Sequence, residues 1–426
     1  MASNKMRTDP DQNRRVVITG MGVIAANGKD LHSFWNTIRD GISAAAPVTR
    51  FDTSNAPTRI AAEVQGLDAG RYMDPKTARR LDRSLQYSVA AARLAMEQTK
   101  IDFSKFDPDR IGVVEGTSVS SNEAAYKTED AYLKKGYRGV NPFALINGYC
   151  GAGCGEIAHE LGIKGHAISC SSGSASGNDA IGYALSMIQN DEVDVMMAGG
   201  AEAPIMRHVW GGLCLSKVMT RRNDDPQHAM RPFDRTRDGI VLGEGAAFMV
   251  LEELAFALAR GATIYAELLA HGRSCEAYHP VAPHPDGVGV YRAMEKALRR
   301  ARLDVTEVDY INAHGTATEA NDLVETRAIK RLFGPQAWKL AVSSTKPVTG
   351  HLMGAAGALE TVVCALAVHH QEIPLTLNFN EPADECDLDY VRGQSRSYPV
   401  RVAMNLSSGF GGKNSCLIVR RYNDPR

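Results

Sequence analysis

Residues 165–187 place serines and glycines where a protein can hold a nucleophile. Residues 166–169 are predicted to form a buried strand, residues 171–173 a Ser/Gly turn, and residues from Ser174 onwards an amphipathic helix. A turn at a helix N-terminus offers unpaired N–H groups and the positive end of the helix dipole, which favour a developing anion. Taken alone, the pattern fits an ordinary strand–helix connection equally well.

Two histidine-bearing loops follow predicted strands in the second half of the chain. One is NAHGTAT, with His314, and the other is STKPVTGH, with Lys346 and His351. A lone histidine after a strand is usually structural, but two in Gly/Thr-rich loops at strand ends point to a shared site. A third loop, SGFGG, sets Phe410 among glycines, which allow a backbone N–H to approach a ligand closely.

The elements that must position these loops are short apolar strands that alternate with helices. This alternation predicts an α/β fold with buried sheets. The predicted strands are residues 15–24, 111–117, 193–200, 246–252, 264–270, 310–313, 340–343, 402–406 and 417–419. Residues 74–99 are predicted to form one long helix.

The two halves of the chain echo one another. SSGSASGNDAIGYALSMI in the first half and SSTKPVTGHLMGAAGALETVV in the second both run from a Ser/Gly turn into a helix of small residues. We interpret this as an internal duplication, in which the two helices pack closely back to back. The predicted organisation is a disordered tail (1–13), an N-terminal half (14–262) and a C-terminal half (263–426).

The composition excludes several classes of protein. The chain of 426 residues has a formal net charge of −1, so no overall field points to nucleic acid or a membrane surface. No apolar run approaches a membrane span, and the polar N-terminus lacks a secretory signal. Cys150 and Cys154 have no second ligand pair, so no metal is expected, and reduced cytoplasmic thiols are the default.

With its motifs in this order, the chain resembles the β-ketoacyl-(acyl carrier protein) synthases of the type II group. The resemblance runs from ITGMGVI through RPFDRTRDGIVLGEGAAFMVLEE to SGFGG and covers nearly the whole chain. SGFGG and GNDAIGYA look more like the ketosynthase subunit of type II polyketide synthases than like the fatty-acid enzyme. The resemblance implies the thiolase fold, an α/β fold in which duplicated halves form a five-layered α-β-α-β-α sandwich.

The resemblance also implies a decarboxylative Claisen condensation. A cysteine takes the acyl chain from the carrier protein's phosphopantetheine arm, and the enolate formed from malonyl-carrier protein attacks that thioester. Carried onto this chain, His314 and His351 are the donors to the malonyl thioester carbonyl, and Lys346 holds the local charge with Glu360. The backbone N–H groups of Phe410 and of the nucleophile form the oxyanion hole, and the Phe410 side chain gates the acyl pocket. No cofactor is bound, because the carrier supplies the phosphopantetheine.

The nucleophile position departs from the family pattern. In family members the nucleophile lies nine residues after a glycine like Gly165 and 26 before one like Gly200, and both counts reach Ser174. Cys170 would lie at the end of the strand, as a small buried residue. A cysteine at a helix N-terminus can react as a thiolate, whereas a serine needs a general base and forms an ester, which is a poorer acyl donor.

We therefore expect this form to elongate poorly. Either the nucleophile has been altered in a catalytic subunit, or the chain is a non-elongating partner like the chain-length factors of polyketide ketosynthases. The intact set of His314, Lys346, His351 and Phe410 favours the first explanation. A thiolase acting on coenzyme A is a further alternative, but its second active-site cysteine is missing from the SGFGG loop.

The expected partners are an acyl carrier protein and a second subunit, either a copy of this chain or a chain-length-factor-like protein. Lys76, Arg79 and Arg80 match positions that contact the acidic carrier helix in similar synthases, and Lys217 is a candidate to join them. The nearly all-apolar segment 193–200 is predicted to lie at the dimer interface.

Overall fold

A computed structural model describes residues 14–423, so the predicted tail 1–13 lies outside the described residues. The apolar runs of the sequence form most of its fifteen described strands. These are β1 (Val16–Ala25), β2 (Ala46–Pro47), β3 (Ile60–Ala62), β4 (Ile111–Gly116), β5 (Ala167–Cys170), β6 (Val195–Glu202), β7 (Leu242–Gly243), β8 (Gly245–Glu253), β9 (Ala266–Cys275), β10 (Tyr310–Asn312), β11 (Ala341–Ser343), β12 (Glu372–Ile373), β13 (Arg396–Ser397), β14 (Val402–Gly409) and β15 (Lys413–Arg420).

Thirteen described α-helices connect and cover these strands. They are α1 (Leu31–Asp40), α2 (Pro75–Arg80), α3 (Arg83–Thr99), α4 (Glu123–Lys135), α5 (Ala144–Asn147), α6 (Ala152–Leu161), α7 (Ser176–Gln189), α8 (Arg207–Leu215), α9 (Leu254–Ala259), α10 (Val288–Ala301), α11 (Glu319–Phe333), α12 (Lys346–Thr349) and α13 (Ala356–His370).

The strand order repeats between the two halves and confirms the predicted duplication. The first half has the order β5-β4-β6-β8-β1, and the second has β11-β10-β14-β15-β9. In each half the five strands therefore lie in the order third, second, fourth, fifth, first. The first three are parallel neighbours and the last two pairings are antiparallel, identically in both halves.

The two halves join along their first strands into one ten-stranded sheet. Val16, Val17 and Ile18 of β1 pair antiparallel with residues of β9. β5 and β11 are the outermost strands of this sheet. Within the described chain no further strand pairs with β5, whereas an isolated bridge joins Ala341 of β11 to Asp389.

Alternating side chains divide the molecule into the five layers of the thiolase fold. On β8, Met249 and Leu251 face a central core shared by both halves, whereas Phe248 and Val250 face an outer core. Such alternation is expected of strands buried on both faces. The helices α7 and α13 fill the central layer, α3 and α6 cover the first half, and α10 and α11 cover the second.

The central helices touch at backbone distance, as their small residues predict. A Cβ on Gly177 would lie 2.5 Å from the backbone nitrogen of Ala358, and a Cβ on Gly357 would lie 2.9 Å from that of Asn178. The stretch Met353–His370, with a mean hydropathy of 1.2, is long and apolar enough to cross a membrane by length and composition only. However, 89% of it is buried inside the protein. It is the core helix of this central layer.

The prediction of one long helix over residues 74–99 is wrong. The segment divides into α2 and α3 because Leu81 is extended (ψ 141°). Long-range hydrogen bonds hold the next residue, Asp82: its N–H donates to Asn147 Oδ1 at 2.9 Å, and its carboxylate accepts from the backbone N–H of Ala124 at 3.1 Å. These partners are distant in sequence, so local helical spacing does not reveal the break.

The predicted interface at residues 193–200 is also wrong. Its apolar side chains belong to β6, which lies between β4 and β8 and is fully buried within one subunit. The apolar run reflects burial on both faces of the sheet rather than an external partner. The unpaired strand of the first half is instead β5, where Ile168 is partly exposed.

Candidate active site

The turn between β5 and α7 presents Ser174 at the start of the helix. Gly173 has φ +66°, a left-handed conformation that glycine adopts without strain. The Ser176 hydroxyl accepts from the N–H of Ser172 at 2.8 Å and donates to the carbonyl of Gly173 at 2.6 Å, which closes the turn. Ser174 is 8% exposed, so little of its surface reaches bulk solvent.

His351 lies against this hydroxyl. The distance from Ser174 Oγ to His351 Nε2 is 3.0 Å, within hydrogen-bonding range. The backbone of His351 is bonded on both sides, since its N–H donates to Val241 O at 2.7 Å and its carbonyl accepts from the N–H of Gly243 at 3.0 Å. The imidazole is therefore supported by a rigid segment.

His314 completes the pair that the sequence predicts. A carboxylate from α11 holds its loop: Glu325 accepts from the N–H of His314 at 2.6 Å and from that of Gly315 at 2.8 Å. The rings of His314 and His351 lie 5.4 Å apart at an angle of 84°. Glu325 is a residue of this site that the sequence patterns do not indicate. Its only local signal is an acidic residue on the buried face of a helix.

A buried ion pair lies behind the two histidines. Lys346 Nζ is 2.5 Å from Glu360 Oε1, and the lysine is fully buried. Burial raises the pKa of Glu360 to about 7, and Lys346 partly offsets this rise. Burial, followed by the positive charge of Lys346, holds the pKa of both His314 and His351 well below the usual value of 6.5. Both imidazoles are therefore neutral at neutral pH.

The loop between β14 and β15 brings Phe410 to the same turn. A Cβ on Gly409 would lie 3.0 Å from the backbone nitrogen of Ser174, and a Cβ on Gly173 would lie 3.5 Å from that of Phe410. The two amides are thus neighbours across a gap that only glycines allow. Gly411 and Gly412 have φ +83° and +70°, so the tight turn also depends on glycine.

These side chains line a cavity of about 280 Å³. Ser174, His314 and His351 all line it, and further polar side chains in the lining are Glu276, Thr316, Thr318, Asn321, Ser408 and Asn414. The lining residues beyond that triplet include Leu213, Val218, Ile240, Val281, Pro283, Met353 and Phe410. Cys170 does not line the cavity. It is half-buried at the end of β5, and burial raises the pKa of its thiol.

A second hydrogen-bond network holds the turn that carries Ser174, and no motif in the sequence indicates it. Asp179, in the first turn of α7, accepts from the Ser172 hydroxyl at 2.6 Å, and its other oxygen lies 3.1 Å from His271 Nε2. His271 also lies 2.8 Å from the Ser415 hydroxyl. Despite burial, the bonds from His271 and Ser172 lower the pKa of Asp179, which keeps it ionised. The network joins the first half to β9 and β15 of the second.

The basic residues predicted to bind a carrier lie on the surface. Lys76, Arg79 and Arg80 are exposed on or beside the short helix α2, and Lys217 is exposed two residues after α8. Arg80 lies over the ring of Phe143 at 5.3 Å. None of the four lines the cavity, but Lys217 is adjacent in sequence to Val218, which does.

Comparison with known proteins identifies the family of this chain. Residues 13–257 match the beta-ketoacyl synthase N-terminal domain, and residues 265–380 match the beta-ketoacyl synthase C-terminal domain. The chain therefore belongs to the β-ketoacyl synthase family.

Relatives from two kinds of biosynthesis are similar over nearly the whole chain. "3-Oxoacyl-[acyl-carrier-protein] synthase 2" of Synechocystis is 42% identical over 96% of this chain and 99% of its own, and that of Coxiella burnetii is 41% identical over 97% and 100%. The ishigamide ketosynthase/chain length factor has a TM-score of 0.90 and 36% identity over 97% of this chain and all of its own. A type II polyketide synthase acyl-carrier protein in complex with its ketosynthase bound to the hexaketide has a TM-score of 0.88 and 32% identity, with the same coverage.

Proposed function

We propose that this chain is a ketosynthase that acts on acyl- and malonyl-carrier protein in polyketide or fatty-acid biosynthesis, with its nucleophile position altered. The observation that carries the proposal is the convergence of Ser174, His314, His351 and the Phe410 amide on one cavity. A thiolase acting on coenzyme A is the poorer fit, because no cysteine lines that cavity.

The two histidines act as neutral hydrogen-bond donors. A neutral imidazole carries one N–H, which can stabilise the negative charge on a thioester oxygen as malonyl-carrier protein loses CO₂. His314 and His351 are both neutral and perpendicular to one another, so they can reach one oxygen from two directions. The ion pair of Lys346 with Glu360 maintains the local field that keeps them neutral.

The amides of Ser174 and Phe410 form the oxyanion hole for the tetrahedral intermediate. Their proximity across Gly173 and Gly409 directs two N–H groups to the carbonyl oxygen of the acyl group being transferred. The Phe410 side chain is 46% exposed at the cavity wall, which suits a gate over the acyl pocket.

Elongation by this form is expected to be weak. Condensation requires an enolate to attack an acyl group on residue 174, and an oxygen ester is a poorer acyl donor than a thioester. Binding of malonyl-carrier protein and its decarboxylation need the histidines rather than a thiol, so both should persist. We therefore expect the protein to bind its carrier without completing condensation.

Its partners follow from the exposed surface. Residues 126–149 and the edge strand β5 both expose apolar side chains, with Leu145 82% exposed, and these exposed groups suit a second subunit paired along β5. The similar solved structures are a ketosynthase/chain length factor and a ketosynthase with its carrier protein. We infer a cytoplasmic dimer, with a copy of itself or with a chain-length-factor-like subunit. The exposed cations on α2 and Lys217 would guide an acidic carrier.

The test is two-carbon extension of octanoyl-carrier protein by malonyl-carrier protein, followed by mass spectrometry. Ser174→Cys should introduce a reactive thiol at the helix N-terminus and raise condensation by at least 100-fold over the unaltered chain. Cys170→Ala serves as the matched control and should leave the activity of the Ser174→Cys protein unchanged.

Two outcomes would redirect the proposal. Full elongation by the unaltered chain, lost on Cys170→Ala, would make Cys170 the nucleophile. A Ser174→Cys protein that is labelled by iodoacetamide at position 174 but does not condense, even with a supplied partner, would favour a chain-length-factor-like subunit.

A further inference from the structure

We propose that Ser174 and His351 form an acyl-transfer dyad that moves an acyl group from a carrier thioester onto the Ser174 oxygen and then releases it to water. This activity is an acyl-carrier thioester hydrolase, and it differs from condensation in both bond type and product. It rests on the proposed function only in taking a carrier-bound acyl group as its substrate.

The dyad has the geometry of an activated nucleophile. A hydroxyl needs a base within about 2.6–3.2 Å to react, and His351 Nε2 lies 3.0 Å from Ser174 Oγ. Both residues are nearly buried, at 8% and 4% exposed, and both line the cavity of about 280 Å³, which has room for the acyl group and for a water molecule. In the neutral tautomer that carries its hydrogen on Nδ1, His351 Nε2 is free to accept that proton, whereas the donor role in decarboxylation uses the tautomer protonated on Nε2.

Acylation balances within the site. Ser174 Oγ attacks the thioester carbonyl carbon as its proton moves to His351 Nε2, and the amides of Ser174 and Phe410 hold the oxyanion. The tetrahedral intermediate then expels the phosphopantetheine sulfur, which takes the proton from His351. The products are an acyl ester on Ser174 and a free carrier thiol.

Deacylation repeats these steps with water. His351 removes a proton from a water molecule, whose oxygen attacks the ester carbon, and the carbon–Oγ bond breaks as Ser174 regains that proton. The net reaction consumes one thioester and one water and yields a free carboxylic acid. Because an oxygen ester is a poorer acyl donor than the carrier thioester, its attack by water is slower than acylation, and the acyl-serine persists long enough to be observed.

The dyad lacks the third group of a triad. His351 Nδ1 is buried without a hydrogen-bond partner among the described residues, so no carboxylate orients the ring or stabilises the imidazolium. In serine hydrolases, disabling the carboxylate's orienting role costs about 10⁴-fold in turnover. Hydrolysis should accordingly be slow, and the ester should accumulate on the first turnover.

The experiment incubates the unaltered chain with octanoyl-carrier protein and follows intact mass and free octanoate. We expect an octanoyl adduct on the peptide that contains Ser174, stable to neutral hydroxylamine, as oxygen esters are, and then slow acid release. Ser174→Ala should abolish the adduct. Ser174→Cys should give an adduct that neutral hydroxylamine removes, as expected of a thioester.

A histidine pair tests the base. His351→Gln should slow adduct formation at least 100-fold, whereas His228→Gln, a change at an exposed histidine paired with Asp225, should not alter it. Carrier binding, measured separately, should be the same for both variants. If the His351→Gln protein is acylated as fast as the unaltered chain, His351 is not the base and the proposed dyad is overturned.

The two proposals fail in different ways. No adduct on the unaltered chain, with condensation by Ser174→Cys intact, would overturn the hydrolase and leave the ketosynthase standing. If Ser174→Cys neither condenses nor accepts octanoate while the unaltered chain forms the ester, the ketosynthase fails and the hydrolase stands.

Discussion

We propose that Ser174 and His314 act on different carrier-bound substrates, and a substitution can separate the two roles. His351 contacts the Ser174 hydroxyl, whereas His314 contacts neither that hydroxyl nor an orienting carboxylate through its ring. His314 is thus free to serve the thioester oxygen of malonyl-carrier protein.

We predict that His314→Ala lowers decarboxylation of malonyl-carrier protein by about 10²–10³-fold, the usual cost of one oxyanion donor. Acylation of Ser174 should change less than tenfold, because its base is His351. Release of ¹⁴CO₂ and the octanoyl adduct are measured on the same preparation. An equal loss of both reactions would show that the two histidines act as one unit.

Residue types, together with the resemblance to the family, predicted most of this site. The spacing that family members show relative to glycines like Gly165 and Gly200 led to position 174 rather than to Cys170, and only Ser174 of the two lines the cavity. Glu325 could not be found in this way. It acts through backbone N–H groups, which leave no mark in a sequence.

Among the elements, the turn before α7 depends on a network that crosses between halves. Asp179 is ionised and joins Ser172 to His271. Because all three are at least partly buried, removing the carboxylate leaves the Ser172 hydroxyl without this partner and leaves His271 with Ser415 alone.

Asp179→Ala should therefore lower the free energy of unfolding by about 1–3 kcal/mol. In the Ser174→Cys background, it should also slow iodoacetamide labelling at position 174 by about tenfold, since the turn is no longer fixed. Urea denaturation and timed labelling measure the two effects. Asp384→Ala, at an exposed carboxylate, is the matched control. Destabilisation without slower labelling would limit Asp179 to a structural role.

The short helix α2 carries the cations that we assign to carrier binding. Arg79→Glu combined with Arg80→Glu should weaken carrier binding at least tenfold at low salt, with a smaller effect at high salt because such contacts are screened. Arg292→Glu with Arg299→Glu reverses two exposed charges on α10 and should leave binding unchanged. Surface plasmon resonance at two salt concentrations measures carrier binding by both double variants. An equal loss of binding in the two would mean that the carrier responds to overall charge rather than to α2.

Element type was readable from the sequence, whereas element ends were not. The strands appear close to the predicted places because each is an apolar run bounded by polar or glycine residues. The break between α2 and α3 escaped because Asp82 is bound by Asn147 and Ala124 from distant segments. The role of 193–200 was misjudged, since an apolar run does not say which surface covers it.

For the molecule as a whole, buried carboxyl groups set the response of stability to pH. Burial, with Glu202 adding to it, raises the pKa of Glu115 from an ordinary 4.5 to about 8. Above pH 4.5 the unfolded chain ionises this group while the folded chain keeps the proton, so the folded state loses stability as pH rises to about 8.

Glu115→Gln should remove this part of the pH dependence. The free energy of unfolding of the variant, relative to the unaltered protein, should increase steadily from pH 5 to pH 8 and then level off. Urea titrations at pH 5, 7 and 9 measure it, with Glu97→Gln, an exposed position on α3, as control. If the free energy of unfolding changes with pH in the same way for the Glu115→Gln variant and the unaltered protein, Glu115 is ionised in the folded state.

The repeated strand order carries a historical consequence. Each half presents one face of its sheet to a core that the other half completes. An ancestor with a single half would therefore have had to associate with a second copy, and each copy would have contributed the same strand-to-helix turn. After fusion into one gene, the two copies could change independently. The turn after β5 now holds Ser174, and its counterpart after β11 holds Lys346 and His351. Division of labour between two descendants of one loop thus became heritable within one chain.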